Sequence, residues 1–162
     1  MKKILFILML LVSCIQAKAQ FEQGSWFANA SLTGLNLSHS SYEGTNFGIS
    51  VSGGTFVGDC FALVVNFKGE FIEKGHDQTT YGAGIRYYFG DCGVYAGFGL
   101  AHKHLSNEEF RKNITCFTPE VGYAFMINDN FAVEPVVYYD LSLKHTSDYS
   151  KLGFKIGFGI YF

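Results

Sequence analysis

The chain has 162 residues, which is enough for a single domain. Its 12 Lys and Arg residues nearly balance 14 Asp and Glu residues, which excludes a strongly basic surface for nucleic acid. Aromatic residues make up 17% of the chain, and it has 19 glycines but only 2 prolines. Because proline removes a donor from the ladder of a sheet, this combination favours strands joined by tight turns.

The N-terminus has the pattern of a secretory signal peptide. Lys2 and Lys3 precede an apolar run over residues 4–12, and small residues follow at positions 17 and 19, which a signal peptidase reads. The run is shorter than the roughly 20 apolar residues of a membrane-spanning helix. We therefore predict cleavage before Gln20, with residues 1–19 as the signal peptide and 20–162 as the mature domain.

A second processing site remains open as an alternative. Residues 11–14 read Leu-Val-Ser-Cys, which has the form of a lipoprotein box in which Cys14 is acylated and becomes the first residue. This alternative changes the anchor of the N-terminus and leaves the predicted fold unaltered.

Three cysteines follow the predicted cleavage site, namely Cys60, Cys92 and Cys116, and their spacing fits no metal pattern. Cys60 and Cys92 end matching Gly-Asp-Cys turns, so a disulfide bond between them is one interpretation. Turns that are two strands apart lie about 10 Å from each other, which is wider than a disulfide normally bridges. Free thiols are therefore favoured.

Along the mature chain, large apolar residues alternate with small or charged residues in a period of two, which indicates strands. No segment shows a sustained period of 3.6 residues. Most of the alternating stretches reach the 9–11 residues or so that a tilted strand needs to cross a bilayer. Eight stretches can be drawn, at residues 25–37, 45–57, 61–72, 79–89, 93–103, 114–126, 131–143 and 151–162.

The connections between these stretches alternate in length. Tight Gly, Asp and Asn turns occupy residues 58–60, 90–92 and 128–130. Longer polar stretches occupy residues 38–44, 73–78, 104–113 and 144–150. Short turns at one end and long loops at the other are typical of an outer-membrane barrel, whose short turns are periplasmic.

A soluble antiparallel sandwich or lipocalin-like barrel is the alternative, and its outer face would be polar. Here the large-apolar face of the predicted strands 79–89, 114–126 and 151–162 carries no charge. A face that is apolar along its whole length and rich in Tyr and Phe favours contact with lipid. We therefore predict an all-β fold, an eight-stranded antiparallel up-and-down transmembrane β-barrel.

The last residues of the chain carry a resemblance to a known family. Lys155, Gly157, Ile160 and Phe162 occupy the positions of the C-terminal insertion signal of outer-membrane barrels, namely a polar residue, a glycine, an apolar residue and a terminal aromatic residue. The segment Pro-Glu-Val-Gly-Tyr at 119–123, followed by an Asn/Asp turn, also resembles small barrels of the OmpA transmembrane-domain and OmpX type. The resemblance implies insertion by the outer-membrane assembly machinery into the outer membrane of a Gram-negative-type bacterium.

Charged residues on the small-residue face are predicted to point into the bore. An eight-stranded barrel is only wide enough for side chains to fill, and buried charges require partners. Tyr88, Tyr95 and Tyr138 would add hydroxyl groups to a lumen closed by ion pairs. The predicted charge network consists of Lys68, Glu70, Arg86, Glu120, Glu134, Asp140 and Lys155.

One motif suggests an enzyme. His104-Leu-Ser106-Asn resembles the His-x-Ser-Asn motif of outer-membrane lipid A deacylases, in which Ser is the nucleophile, His the base and Glu the residue that orients the His. The resemblance implies these roles for His104 and Ser106, with Glu108, Glu109 or Glu120 as the carboxylate. The family carries its motif near the C-terminus, whereas three predicted strands follow it here.

The remaining histidines are interpreted as solvated residues in or beside the loops, because no His-x-x-x-His or Cys/His spacing supports a metal site. These residues are His39, His76, His102 and His145. No cofactor or metal is predicted.

Three functions follow from these patterns. The leading hypothesis is a non-enzymatic outer-membrane anchor or scaffold with a plugged lumen, whose loops meet an extracellular ligand. The second is a narrow channel for ions or very small solutes. The third is a lipid A-modifying enzyme that uses His104 and Ser106. Expected partners are outer-membrane lipid and the assembly machinery, and no nucleic acid.

Overall fold

The computed structural model describes residues 21–33, 46–72, 78–106, 111–143 and 151–162. The predicted signal peptide and the predicted loops at 38–44 and 144–150 lie outside these residues, as does most of the loop at 73–78. The described part contains no helix that is long and apolar enough to cross a membrane.

Strands make up nearly all of the described residues. β6 and β7 form one strand of the sheet, interrupted at Ala124, whose amide donates to the carbonyl oxygen of Gly93. A 3₁₀ turn at Gly90–Cys92 precedes β5. The strands are β1 Trp26–Thr33, β2 Asn46–Gly58, β3 Phe61–Ile72, β4 Gln78–Tyr88, β5 Val94–Ser106, β6 Arg111–Tyr123, β7 Phe125–Met126, β8 Phe131–Ser142 and β9 Lys151–Tyr161.

The strands form one antiparallel sheet that closes on itself. From β1 to β6 each strand pairs with the next along the chain, β8 pairs with β9, and β1 also pairs with β9, where Phe27 lies opposite Tyr161. The combined β6–β7 strand pairs with β8 and completes the ring. A closed sheet has no edge with unpaired amide and carbonyl groups. The predicted eight-stranded antiparallel barrel is confirmed.

One predicted loop was wrong. β5 continues beyond residue 103 to Ser106, which pairs with Arg111 at the start of β6. Most of the polar stretch 104–113 is therefore strand, and its residues 107–110 lie outside the described part of the chain. The strand was predicted too short because residues 102–104, His-Lys-His, are polar on both faces and so interrupt the apolar alternation.

Side chains alternate between the bore and an apolar outer wall. On β3, Leu63, Val65 and Phe67 are 46%, 49% and 61% exposed, whereas Ala62 and Val64, on the other face of the strand, are buried. Exposed apolar residues of this size continue around the barrel, and this wall suits a hydrocarbon environment. Further examples are Trp26, Leu32, Ile49, Val51, Tyr87, Phe98, Leu100, Val121, Val137, Leu152, Phe158 and Ile160.

Tight connections join β2 to β3, β4 to β5 and β7 to β8. Cys60 adopts a φ of 64° in the first, and Gly93 adopts a φ of 75° at the end of the second. In the third, the side-chain oxygen of Asn128 accepts hydrogen bonds from the amides of Asn130 and Phe131, at 3.0 and 2.8 Å. Asn side chains favour such local bonds to the backbone, and glycine adopts positive φ without strain.

The two predicted interpretations of the turn cysteines are now distinguished. Cys92 is a free thiol that donates to the carbonyl oxygen of Phe89 at 2.7 Å, so no disulfide bond joins it to Cys60. Cys116 is also free and lies buried on the inner face of β6.

The pairing between β6 and β8 is interrupted in the middle of the wall. On β6, the paired residues stop at Phe117 and resume at Glu120. Pro119 lies in this gap and has no amide hydrogen to donate. The hydroxyl of Thr118 donates to Oδ1 of Asp140 at 2.8 Å and so connects the two strands at this point.

Inward glycines allow β4 and β5 to approach each other. A Cβ at Gly84 would lie 2.6 Å from the carbonyl oxygen of Phe98 and 2.9 Å from Cα of Gly99. A Cβ at Gly97 would lie 2.7 Å from the carbonyl oxygen of Ile85. Because these glycines have no Cβ, the backbone of the neighbouring strand can approach them closely. They also leave room for long side chains in the bore.

We expect Gly84→Val to lower the free energy of unfolding of residues 20–162 by about 2–3 kcal/mol, because the new side chain must displace backbone atoms. Urea titration in detergent micelles, followed by the fluorescence of Trp26, measures this loss. The matched control is Gly69→Val on the outer face of β3, where a Cβ would meet nothing within 4 Å. Equal stability of the two variants would contradict the prediction.

Candidate functional site: the filled lumen

Aromatic rings fill the end of the bore that lies near the tight turns. The rings of Phe27 and Tyr161 stack with their centroids 5.5 Å apart, and those of Phe56 and Tyr88 lie 5.2 Å apart. None of these four side chains is more than 2% exposed. Inward positions of β1, β2, β4 and β9 supply them. Their burial shows that water does not reach this aromatic layer.

The residues before β1 cover this end of the bore. Phe21 is 4% exposed, and its ring stacks on that of Tyr88 with the centroids 4.5 Å apart. The carbonyl oxygen of Phe21 accepts a hydrogen bond from the amide of Cys60, and the amide of Gly24 donates to the carbonyl oxygen of Phe56, both at 2.8 Å. Phe21 was not among the predicted lumen residues, because a single aromatic residue beside a predicted cleavage site belongs to no periodic pattern.

Arg86 lies at the centre of the charged part of the lumen. Its Nε atom is 2.6 Å from Oε1 of Glu120, and its Nη1 atom is 3.6 Å from Oε2 of Glu134. The guanidinium carbon lies 4.6 Å from the centroid of the Tyr95 ring and 5.6 Å from that of Phe27. Two carboxylates and two aromatic faces therefore surround this 2% exposed cation, and such partners are what a buried charge requires.

Glu134 on β8 is fully buried. The hydroxyl of Tyr161 donates to its Oε1 at 2.7 Å, and the hydroxyl of Tyr95 donates to its Oε2 at 3.2 Å. Tyr161 was not among the predicted lumen residues. Its alternation with Gly157 and Gly159 could have identified it, because residues two apart on a strand share a face.

Two lysines contact Tyr138 on β8. Lys68 donates to the Tyr138 hydroxyl at 3.1 Å, and its Nζ lies 2.7 Å from Oε1 of Glu70. Lys155 lies with its Nζ 5.5 Å from the centroid of the Tyr138 ring and 3.1 Å from Oε2 of Glu120. The Tyr138 side chain therefore contacts the lysines of two ion pairs, Lys68 with Glu70 and Lys155 with Glu120.

A further cation, Lys103, was missing from the predicted network. Its Nζ lies 2.6 Å from Oδ2 of Asp140, and the two residues are 7% and 4% exposed. Lys103 shares the inward parity of Tyr95, but the predicted strand ended at residue 103. With Lys103 included, the ion pairs of the described lumen join four cations to four anions.

A cavity of about 80 Å³ lies beside Arg86, and its wall combines apolar surface with the charged side chains of Lys68, Lys155 and Asp140. Thr80 also lines it, and the hydroxyl of this buried residue has no hydrogen-bond partner among the described residues. A cavity of this volume with polar groups in its wall has room for several water molecules. Water would satisfy the Thr80 hydroxyl.

The structure does not bring His104 and Glu120 together. His104 faces outward on β5, and its Nδ1 lies 2.7 Å from Oδ1 of Asn113 on the neighbouring strand. Glu120 faces the lumen, and it lies opposite Gly97, seven residues or about 23 Å along β5 from His104. Glu120 therefore cannot orient His104 as a catalytic base. The side chain of Ser106 lies outside the described part of the structure, as do Glu108 and Glu109.

Comparison with known proteins agrees with this architecture. The sequence matches the family described as "outer membrane protein beta-barrel domain" over residues 5–162. The chain belongs to this family of outer-membrane barrels. The resemblance to small barrels of the OmpA and OmpX type is confirmed, and the family places the protein in the outer membrane of Gram-negative bacteria.

Solved structures similar to this outer-membrane barrel share its fold at low identity. The N-terminal β-barrel domain of Pseudomonas aeruginosa OprF has a TM-score of 0.64 and 20% identity, covering 86% of this chain and 98% of that one. Yersinia pestis Ail has a TM-score of 0.60 and 12% identity, covering 86% of this chain and 100% of that one. OprG of Pseudomonas aeruginosa has a TM-score of 0.58 and 13% identity, covering 88% of this chain and 98% of that one. No curated protein sequence matches the chain.

The residues of the predicted insertion signal lie on both faces of β9 in this outer-membrane barrel. Ile160 and Phe162 face outward and are 48% and 68% exposed. Lys155 faces inward toward Glu120, and a Cβ at Gly157 would meet the side chain of Asn29 at 2.6 Å. Two residues of the predicted signal therefore point outward, whereas the two inward residues have contacts in the folded lumen.

Proposed function

We propose that this outer-membrane barrel is a non-enzymatic anchor and scaffold whose lumen is closed and whose loops carry the interactions with an extracellular ligand. The observation that supports the proposal is the arrangement of two closing layers in series. The Arg86 ion pairs with Glu120 and Glu134 lie directly against the aromatic layer, and Phe21 covers that layer from the turn side. A solute would have to displace both layers to cross.

A catalytic role has less support. His104 lacks a carboxylate partner among the described residues, since its Nδ1 contacts the Asn113 amide. A serine hydrolase needs a base that a third group orients and that reaches the nucleophile. Outer-membrane lipid and the assembly machinery remain the proposed partners, with Ile160 and Phe162 as the proposed recognition residues for the latter.

Conductance of residues 20–162 in a planar lipid bilayer tests the closed lumen. We expect no steady current steps in 1 M KCl, because both the ion-pair layer and the aromatic layer block the bore. The matched control is Tyr139→Phe on the outer wall, which changes no lumen contact and should behave as the unaltered protein. Stable openings in the unaltered protein would overturn the closed-lumen proposal.

A narrow channel is the second candidate, and the cavity beside Arg86, with charged side chains in its wall, favours it. Lys68 and Lys155 line this cavity, so a conducting state would carry anions past them. If openings occur, Lys155→Met should shift the selectivity toward cations. If Lys155→Met leaves the ion selectivity of the openings unchanged, the conducting path does not pass through this cavity, and this channel is contradicted.

A further inference from the structure

Two histidines lie on the outer wall, away from the lumen. His102 and His104 are two residues apart on β5, face outward and are half-buried. Residues two apart on a strand project from the same face about 7 Å from each other. Two imidazole groups therefore stand side by side on a wall that is otherwise largely apolar.

Side chains of the neighbouring strand β6 contact both imidazole rings. His102 pairs directly with Thr115, and His104 pairs directly with Asn113. Nδ1 of His104 lies 2.7 Å from Oδ1 of Asn113, and Nδ1 of His102 lies 3.4 Å from Oγ1 of Thr115. The ring of Tyr81 on β4 also contacts His102, with the centroids 5.4 Å apart. Each imidazole therefore has, beside its Nδ1 atom, a side-chain oxygen of the residue directly opposite it on β6.

This arrangement leaves the second nitrogen of each ring available. Among the described residues, neither Nε2 atom of His102 and His104 has a hydrogen-bond partner. An imidazole that ligates a metal through one nitrogen usually donates its other N–H to an oxygen acceptor, which fixes the tautomer and the ring orientation. Oδ1 of Asn113 is such an acceptor for Nδ1–H of His104, which leaves Nε2 with its lone pair.

We propose that His102 and His104 bind one divalent transition-metal ion, Zn²⁺ or Cu²⁺, through their Nε2 atoms. Imidazole is a preferred ligand of both ions, whereas Mg²⁺ and Ca²⁺ prefer oxygen. The described residues offer no group of three or more His, Cys, Asp and Glu side chains for a metal. Water therefore fills the remaining coordination positions, and the site is a two-ligand chelate open to the surroundings.

The height of the pair on the barrel gives the ion access to water. From Val94 at the turn end to His102 is eight residues, or about 20 Å along the barrel axis for a strand tilted by roughly 40°. The apolar band of such barrels is about 25 Å tall. The histidines therefore lie at the loop-side edge of the band, near the headgroups of the outer leaflet.

The spacing of this histidine pair differs from the metal-binding pattern of a helix. In a helix, His-x-x-x-His places two ligands on one face. On a strand the equivalent spacing is His-x-His, and residues 102–104 read His-Lys-His. The prediction that β5 ended at residue 103 also separated the two histidines between a strand and a loop.

The test uses residues 20–162 with His39, His76 and His145 replaced by glutamine, so that only His102 and His104 remain as histidines. Cu²⁺ is titrated into the protein in a maltoside detergent without phosphate. Binding is followed by the electron paramagnetic resonance of the bound Cu²⁺, whose spectrum also identifies the ligands. Each variant is first checked for the fold by its electrophoretic mobility before and after heating.

We expect one Cu²⁺ per chain and a spectrum with two imidazole nitrogens. Either His102→Gln or His104→Gln should weaken binding at least about tenfold, and Asn113→Ala should weaken it roughly tenfold by releasing the His104 ring. Thr55→Ala, on the outer face of β2, is the matched control and should bind as the background does. Unchanged Cu²⁺ binding when both histidines are replaced, or no binding in the background protein, would overturn the proposal. Neither result bears on the closed lumen, which the conductance measurement tests separately.

Discussion

Replacing Arg86 with methionine is expected to lower the free energy of unfolding by about 3–5 kcal/mol, the largest effect of any single change in the lumen. The guanidinium group is shared by Glu120 and Glu134. Without it, Glu120 retains Lys155, but among the described residues Glu134 retains only the hydroxyls of Tyr95 and Tyr161. A fully buried carboxylate would then have no cationic partner, and this is the costly situation for a buried charge.

Urea titration of residues 20–162 in detergent micelles measures the effect of Arg86→Met. The matched control for loss of a charge is Glu22→Gln, because Glu22 is exposed and should shift stability by less than about 0.5 kcal/mol. Arg86→Lys should fall between the two, since a lysine keeps the charge but cannot reach both carboxylates in a fixed fork. A loss below about 1 kcal/mol for Arg86→Met would show that Glu134 does not depend on the cation.

The second large effect is expected at the Lys103–Asp140 pair. Each of the single substitutions Lys103→Met and Asp140→Leu should lower the free energy of unfolding by about 3 kcal/mol. Each of them leaves the remaining charged side chain buried without the oppositely charged group that it contacts. The double variant should lose much less than the sum of the two, because replacing both members of a buried pair with apolar residues is often nearly neutral.

A double-mutant cycle measured in the same micelles isolates this interaction. We expect a coupling free energy of about 2–3 kcal/mol between positions 103 and 140. The matched control cycle pairs Lys103→Met with Val137→Ala on the outer wall of β8, where additivity is expected because the two side chains lie on opposite sides of the barrel wall. Additive losses at Lys103 and Asp140 would mean that their 2.6 Å contact contributes no net stability.

Both predictions concern a lumen in which charge is neutralised locally. Each of the four cations contacts at least one carboxylate directly, so no part of the bore carries a large excess of one sign. Such a filling resists the passage of ions because any ion that enters must replace an existing partner. The same arrangement explains why single substitutions should be costly while paired substitutions should be tolerated.

The fold and the direction of most side chains follow from local patterns in the sequence. In a strand the period is two, so the alternation around Arg86 on β4 and around Glu134 on β8 assigns each residue to a face without knowledge of the neighbours. The alternating lengths of the connections and the uncharged apolar face were sufficient for a closed barrel. These are local properties. A chain of eight such strands has few ways other than a closed barrel to hydrogen-bond all of its backbone polar groups within lipid.

The tertiary structure alone decided which inward residues meet. Arg86 and Glu120 are 34 positions apart, and their contact depends on the register of β4, β5 and β6 and on the curvature that closes the sheet. The stacking of Phe21 on Tyr88 depends on where the chain enters the barrel, which no repeat in the sequence encodes. The pairing of His102 with Thr115 likewise follows from the register of two strands whose ends are polar. Parity assigns a face, whereas partners are set by register and closure, and these arise from the whole sheet at once.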